Sequence, residues 1–396
     1  MKIPRKILLL IPVGILLAAG AYLTYLQLKG NDPGDQTADG GNAEKAGRSL
    51  SNGRCTGEGV GVLTSLPMNE EDFSIIIPYG LTAGGHVTPI DHQYYSPTVF
   101  TSPRDAYPVF AMADARLVDV QPRDTERGRE YRMVFSMTCT FLYYYDLVTS
   151  LAPDIQTAYE RGNMDLPVTA GQIIGRIGGQ TLDFAVWDTT KPLTGFVRPE
   201  SYAGEAWKIY TADPLEYVTE ELKAKMLAKY IRVADPISGK IDHDIDGRLV
   251  GNWFLEDSGG YAGPGENQQG YWSGHLSIAP EHIDPTAFIV SFGDFNGEAT
   301  QFSIPRNSLN PAEVSSATGL VKYTLTTWNY RMGNGKDWDR SSFPVLPLKL
   351  YNEGYQSSGC VLFQMVEDRK LKMEAFPGKT CTSVAGFTAQ TQLYER

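Results

Sequence analysis

The chain has 396 residues, a formal net charge of −11 at pH 7, and 42% hydrophobic residues. This length suits two globular domains with additional segments, and the apolar fraction is sufficient for buried cores. No strongly basic stretch follows the first six residues, which excludes nucleic acid as an expected partner.

The N-terminus carries basic residues followed by a long apolar run. "MKIPRK" precedes an apolar stretch from Ile7 to about Leu26. A run of about 20 such residues can span a bilayer as a helix, and the basic residues before it place the N-terminus inside. The alternative is a cleaved signal peptide, since "AGA" fits a small-residue cleavage site. The run is long for a signal peptide, so we predict a membrane anchor over residues 1–30. Both interpretations export the bulk of the protein to the extracytoplasmic side.

The cysteines agree with export. The chain contains Cys55, Cys139, Cys360 and Cys381, and none of them belongs to a CxxC pair. A zinc ribbon is therefore not expected, and an even number of cysteines in an exported chain suggests disulfides. Three pairings are open from sequence alone. We favour Cys360–Cys381, which flanks a predicted hairpin, and then Cys55–Cys139.

After the N-terminal apolar run, a polar segment is followed by a β-rich one. Residues 31–53 are rich in Gly, Asp and Ala, which predicts a flexible linker. Residues 54–210 contain "FSIIIPYG", "YRMVFSMTCTFLYYY" and "LDFAVWD", which are rich in β-branched and aromatic residues and are separated by turn clusters. We predict a β domain here.

The C-terminal half begins with the clearest helical pattern. Residues 211–245 include "DPLEYVTEELKAKMLAKYIRV", with Asp213 as a good N-cap and Pro214 at the first helical position. A linking helix is expected, with a partner-binding helix as the alternative. Residues 246–396 show short apolar runs between turns, which predicts an antiparallel β barrel or sandwich. The expected fold class is therefore mainly β.

Two segments of the first β domain resemble a known family. "YPVFAMADARLVDV" and "VTAGQIIGRIGG" are similar to the G-x-P-V-x-A and V-x-x-G-x-x-I-G-x-x-G segments of lysostaphin-type zinc endopeptidases. A His/Asp loop, a YxHL-like strand and an HLHFE-like strand follow the order of that family. The resemblance covers roughly residues 75–190. It implies a β barrel-sandwich, a fold that non-enzymatic domains share.

The resemblance also implies a metal site. The family binds zinc through a His and an Asp of the first loop and the second His of an HxH strand. Here "GGHVTPIDHQYYSP" offers His86, Asp91 and His92, and Asp183 of "TLDFA" stands at the third ligand position. His86 and Asp91 are five residues apart, whereas the family places its His and Asp four apart. These four residues are our candidates for binding zinc, another divalent metal or a ligand.

Two further histidines of the family are missing. Asp146 of "YYDL" stands at one of their positions and Thr181 at the other. A neutral imidazole can pass a proton to a leaving amine near neutral pH, and a threonine cannot. Asp146 or Asp183 could do so only with a strongly raised pKa.

These residues predict an exported, membrane-tethered, non-catalytic peptidase-like protein. We expect it to bind or scaffold at the cell envelope, with a cell-wall glycan or peptide, or an envelope protein, as partner. The alternative is a metal-dependent cell-wall or peptide endopeptidase with an altered active site. A third interpretation makes the two β domains a structural pair that binds a protein partner.

Several other motifs have simpler explanations. The first loop could be a rigid turn around Pro89 that packs on the barrel. "DHDIDG" opens like a calcium loop, but Trp253 stands at the twelfth position where the EF-hand needs Glu. We expect an acidic turn there, with structural calcium as the alternative. His275 and His282 are expected to be structural. The turns "GGYAGPGENQQGYW" and "TTWNYRMGNGKDWDR" have the character of sugar-binding loops or of ordinary barrel packing.

Overall fold

The computed structural model describes residues 40–263, 270–340, 342–352, 354 and 356–396. Residues 40–396 form one compact unit. The predicted anchor over residues 1–30 lies outside the described residues. Within the described part, no helix is long and apolar enough to cross a membrane.

The first half of the chain forms a sheet region. Its strands are β1 (Phe73–Ile77), β2 (Gln93–Pro97), β3 (Tyr107–Phe110), β4 (Ala115–Thr125), β5 (Gly128–Ser136), β6 (Phe141–Val148), β7 (Ser150–Leu151), β8 (Leu166–Val168), β9 (Ile173–Ile177), β10 (Leu182–Asp188) and β11 (Thr211–Ala212). The main sheet has the order β1-β2-β10-β6-β5-β4-β8 with β11 beside β10, and β3-β9-β7 form a smaller sheet. The two sheets share one hydrophobic core.

Both faces of the main sheet are buried, which explains why its strands contain near-continuous apolar runs. Side chains alternate between the two faces of a strand. Tyr145 and Phe184 point into the core shared with the smaller sheet. Tyr144 and Trp187 point to the opposite face and belong to a second core cluster. A segment of two 3₁₀ helices joined at a kink, Pro199–Tyr210, packs on that second face, and we call it the capping segment.

The second half forms a closed β barrel. Its strands are β12 (Gly251–Leu255), β13 (His275–Pro280), β14 (Phe288–Phe295), β15 (Glu298–Ser303), β16 (Val321–Thr326), β19 (Ser357–Glu367), β20 (Lys370–Pro377) and β21 (Gln392–Glu395), in that order around the barrel. A separate hairpin, β17 (Asn329–Arg331) and β18 (Lys349–Tyr351), lies between β16 and β19 in the chain. The mainly β prediction is confirmed, and the barrel is the alternative that forms.

Both disulfides form with the favoured pairing, Cys55–Cys139 and Cys360–Cys381. They close sequence separations of 84 and 21 residues, so each restricts the unfolded chain, and the longer loop more strongly in the chain-entropy account. Disulfides of this kind are typical of extracytoplasmic or secreted proteins.

In the described part of the chain, three α-helices accompany the strands: α1 (Gly40–Leu50), α2 (Pro153–Glu160) and α3 (Glu220–Leu227). The predicted flexible linker over residues 31–53 is wrong for residues 40–50, which form α1. This helix packs on the sheet region because Ala43 is buried and Gly47 brings the helix backbone against the Cys139 carbonyl. A docked contact of this kind leaves no periodic apolar pattern in the sequence.

The linking helix is shorter than predicted. Asp213 and Pro214 begin only a 3₁₀ turn, and Thr219 caps α3. The helical pattern is interrupted because Val218 bridges to Leu63 and Tyr230 bridges to Ile76 in parallel β contacts. Tertiary pairing of the backbone therefore outweighs local helix propensity at both ends.

Gly47→Ala tests the docking of α1. A Cβ at Gly47 would lie 1.6 Å from the Cys139 carbonyl oxygen. Overpacking costs about 1–3 kcal/mol, which we expect to outweigh the gain of about 1 kcal/mol in helix propensity. The variant should release α1, so subtilisin should cleave between residues 40 and 54 faster than in wild type. Lys45→Ala, at an exposed position of the same helix, is the control. Equal cleavage of Gly47→Ala and wild type would contradict the docking.

Candidate functional site

The register of three neighbouring strands brings the predicted site residues together. Asp183 of β10 pairs with Tyr94 of β2 on one side and with Asp146 of β6 on the other. His92 lies two residues before Tyr94, and its ring contacts that tyrosine on the same face of the sheet. The face that carries these residues is the one covered by the capping segment.

His92 is buried between two carboxylates. Its Nε2 lies 3.2 Å from Asp183 Oδ2 and 3.1 Å from the Tyr94 hydroxyl. Its Nδ1 lies 3.3 Å from the Tyr144 hydroxyl and 3.6 Å from Asp91 Oδ1. Both ring nitrogens therefore already have polar partners.

Both oxygens of Asp91 accept hydrogen bonds from the capping segment. Lys208 Nζ donates to Asp91 Oδ1 at 2.8 Å, and Trp207 Nε1 donates to Asp91 Oδ2 at 2.9 Å. Lys208 is only 5% exposed, lies 3.4 Å from Glu205 Oε2 and stands 4.9 Å from the centre of the Tyr261 ring. We call Asp91, His92, Asp183 and Lys208 the charged cluster.

In this cluster, the oppositely charged neighbours of each group shift its pKa in the direction opposite to the shift that burial causes. Burial would raise the pKa of Asp91, but Lys208 and His92 hold that pKa well below its usual value. Burial would lower the pKa of Lys208, yet Asp91 and Glu205 raise it. Burial would likewise lower the pKa of His92, which Asp183 and Asp91 raise instead. Burial, which His92 only partly opposes, raises the pKa of Asp183 to about 7.

The residues present do not fit the zinc site that the resemblance implies. The described residues contain no group of three or more His, Cys, Asp or Glu side chains arranged to hold a metal. His86 is exposed, with its ring centroid 5.9 Å from that of His92. The Lys208 ammonium lies directly against Asp91, where its charge repels a divalent cation. The Lys208 ammonium thus occupies the position beside Asp91 where a metal ion would bind, and in this sense the cluster is closed.

The side chains at the two positions where the family has further histidines form ionic or hydrogen-bond contacts. Asp146 Oδ1 forms an ion pair with Arg123 and accepts a hydrogen bond from the Leu147 backbone at 2.8 Å. Thr181 Oγ1 donates to Asp183 Oδ1 at 3.3 Å. Asp146 and Thr181 therefore hold neighbouring groups in place, and neither presents an imidazole that could pass a proton.

The residues that close the cluster were not predicted from the sequence. Lys208 and Trp207 come from "AWKIY", and a single lysine among aromatic and aliphatic residues is the signal that marks a buried cation. Arg132 was also missed. Its guanidinium stacks 4.3 Å from the centre of the Tyr144 ring and 4.7 Å from that of Trp207, which fixes the aromatic side of the cluster.

The loop that carries His86 is fastened to the barrel. Gly84 N donates to Gln301 Oε1 at 2.9 Å, and Gln301 Nε2 donates back to Gly84 O at 2.9 Å. The loop therefore has a defined position between the sheet region and β15.

The remaining histidines and the acidic turn have structural contacts. His275 Nε2 lies 3.0 Å from the Tyr261 carbonyl, and burial lowers the pKa of His275 to about 4. His282 Nδ1 contacts Glu281 Oε1. In "DHDIDG", Asp242 and Asp244 accept hydrogen bonds from backbone amides. These oxygens hold neighbouring chain segments, as expected for an acidic turn.

A groove of about 910 Å³ adjoins the charged cluster on the same sheet face. Tyr94 and Thr181 line the groove and contact the cluster, Tyr94 through His92 and Thr181 through Asp183. The opposite wall comes from the aromatic turn of the barrel and includes Trp328, Tyr330 and Trp338. The aromatic turn named in the sequence analysis therefore faces the sheet region across an open groove.

Comparisons with known proteins give remote similarities only. No family model and no curated protein matches the chain. Among solved structures, Helicobacter pylori Csd3 is 19% identical over 34% of this chain and 33% of that chain, with a TM-score of 0.24. A zinc-containing peptidase from Vibrio cholerae is 16% identical over 33% and 39%, with a TM-score of 0.23. Lysostaphin is 11% identical over 61% and 91%, with a TM-score of 0.26. The chain thus spans about a third of the length of Csd3.

Asp183→Asn tests the electrostatics of the cluster. Because the folded-state pKa of His92 lies above its usual 6.5, its bound proton stabilises the fold below that pH. This contribution is lost as the pH rises through the folded-state pKa. The raised pKa of Asp183 acts in the same direction. Wild type should therefore lose on the order of 1 kcal/mol of unfolding free energy between about pH 6 and pH 8, and Asp183→Asn should lose less.

Urea titrations at the two pH values measure this difference, and the imidazole signal of His92 by NMR should titrate at lower pH in Asp183→Asn. Asp124→Asn is the control, because Asp124 is exposed and the pKa of its carboxyl lies below its usual value owing to Arg129. An unchanged pH dependence in Asp183→Asn would show that the two groups are not coupled.

Proposed function

We propose that this protein is an exported, membrane-tethered, non-catalytic relative of the lysostaphin-type peptidases that binds a cell-wall component at the cell envelope. One observation carries the proposal: Lys208 donates to Asp91 at 2.8 Å in the buried cluster. Hydrolysis by a zinc peptidase needs a metal with an open position for water. Here the corresponding carboxylate is already neutralised by a lysine of the same chain.

The covered sheet face supports the same proposal. Trp207 and Lys208 of the capping segment lie over the cluster, so a substrate has no access to His92 or Asp91 from that side. The adjoining groove is open and lies between the sheet region and the barrel. Pockets at such interfaces, with aromatic walls and a few polar groups, are typical ligand sites. Binding beside the closed cluster is therefore favoured over cleavage within it.

The export part of the proposal rests on two features. The N-terminal apolar run follows basic residues, and both disulfides are formed. The cell-wall part rests on the resemblance to cell-wall peptidases and on the aromatic wall of the groove.

Metal content separates the proposal from the hydrolase alternative. Residues 40–396, incubated with zinc and desalted, should contain no stoichiometric zinc by elemental analysis. Lys208→Met, which frees one oxygen of Asp91, should retain more zinc than wild type. Lys191→Met is the control, because Lys191 forms an exposed ion pair with Glu216. One zinc per wild-type protein, lost in His92→Ala and accompanied by cleavage of cell-wall peptides, would establish the hydrolase instead.

Co-sedimentation with purified insoluble peptidoglycan tests the binding function. Phe100 lines the groove and is 55% exposed, so Phe100→Ala should weaken binding without disturbing a core. We expect an affinity loss of about 5- to 30-fold, because removing an aromatic contact costs about 1–2 kcal/mol. Phe343→Ala is the matched control, as Phe343 is exposed and does not line the groove. No co-sedimentation of the wild-type protein would contradict the proposed function.

A further inference from the structure

We propose that the groove binds a short apolar peptide that ends in a free carboxylate, and that Arg340 binds this carboxylate. This inference rests on the proposed function, because it takes the groove to be the binding site. It adds the chemical class of the ligand and the residue that selects it.

The groove has an aliphatic floor. Ile75 and Ile77 of β1 are paired with Ser96 and Tyr94 of β2, and all four side chains line the groove. Ile231 extends this floor. An aliphatic floor of this kind favours apolar side chains of a ligand, because burying them removes apolar surface from water.

The described lining of the groove contains basic residues but no acidic ones. The chain has 46 acidic and 35 basic residues, yet none of the described Asp and Glu residues lines the groove. The lining contains Arg340 and His282, and His282 already contacts Glu281. In the described part of the chain, no carboxylate lies within ion-pair distance of Arg340. An anionic group at this end of the ligand would supply the missing partner, and a guanidinium binds a carboxylate with two parallel hydrogen bonds.

Arg340 is held at the groove by its surroundings. Its guanidinium lies 5.2 Å from the centre of the Tyr330 ring. The Tyr330 hydroxyl in turn donates to Glu281 Oε1 at 2.7 Å, and its ring packs on Trp338. The backbone of Arg340 has a φ of +64°, a left-handed conformation that is unfavourable for a residue with a Cβ and that often occurs at ligand-binding positions. Arg340 is thus directed by a fixed aromatic platform.

The hydroxyl groups of the lining favour a peptide over a fatty acid or a glycan. Thr82, Ser96 and Thr101 line the groove, and their hydroxyls have no hydrogen-bond partner among the described residues. They can bond to the amide groups of a peptide, whereas a fatty-acid chain has no polar groups along its length. A glycan would leave the isoleucine floor facing hydroxyls, which gains little from burial. A peptide with small apolar side chains satisfies the floor, the hydroxyls and Arg340 together.

Matched peptides test the inference by calorimetry on residues 40–396 with both disulfides intact. The probes are N-acetyl-trialanine with a free carboxylate and the same peptide as its C-terminal amide. We expect the acid to bind at least tenfold more tightly than the amide. Arg340→Gln should reduce acid binding to the level of the amide and leave amide binding unchanged. Arg331→Gln is the matched control, because Arg331 also stacks on a tyrosine of this hairpin but pairs with Asp337 and does not line the groove.

The outcomes separate this inference from the proposed function. Equal binding of acid and amide, unchanged acid binding in Arg340→Gln, or no binding of either peptide would overturn it. Tighter binding of octanoate or of chitotriose would also overturn it and identify a lipid or glycan ligand. Any of these results together with intact co-sedimentation on peptidoglycan would leave the proposed function standing, and loss of co-sedimentation would remove both.

Discussion

The buried ion pair between Lys208 and Asp91 is the contact on which the arrangement of the site depends. A charge removed from water is costly unless it is paired and hydrogen-bonded. Asp91 satisfies this requirement with both oxygens, one bonded to Lys208 and one to Trp207. Since both donors come from the capping segment, the pair also fastens that segment over the sheet. Removing either charge would leave the other buried without its nearest ionic partner, so the covered face and the ion pair stabilise each other.

The same pair determines how far His92 and Asp183 can take part in chemistry. His92 lies between two carboxylates and near two tyrosine hydroxyls, so its nitrogens are engaged in the resting fold. His92 and Asp183, whose pKa values are both raised, titrate within this buried network. A fully satisfied network of this kind is rigid. It therefore gives the adjoining groove one fixed boundary, at Tyr94 and Thr181.

Much of the architecture was accessible from the sequence because it follows from local pattern. Short apolar runs between turns predicted the β class. The position of Cys360 and Cys381 on either side of a predicted hairpin indicated that they form a disulfide. The docking of α1 was not accessible, since it depends on one glycine against a distant carbonyl. The site residues likewise include some that the sequence predicted and some that it did not. Asp91, His92 and Asp183 were found by resemblance, but Lys208 lies 117 residues from Asp91 along the chain, and no local pattern connects them.

The location of the groove follows from the closed cluster. A sheet face that carries a metal-dependent active site must stay open to water and substrate, whereas this face is covered where the metal ligands would lie. The uncovered part of the same face lies at the edge strand β1 and its neighbour β2, where Ile75 and Ile77 of β1 line the groove. Trp328, Tyr330 and Trp338 lie opposite this edge, so the second half of the chain supplies the facing wall of the groove. Under the proposed function, ligand selection therefore depends on residues of the second half of the chain, and the closed cluster adjoins the groove at Tyr94 and Thr181.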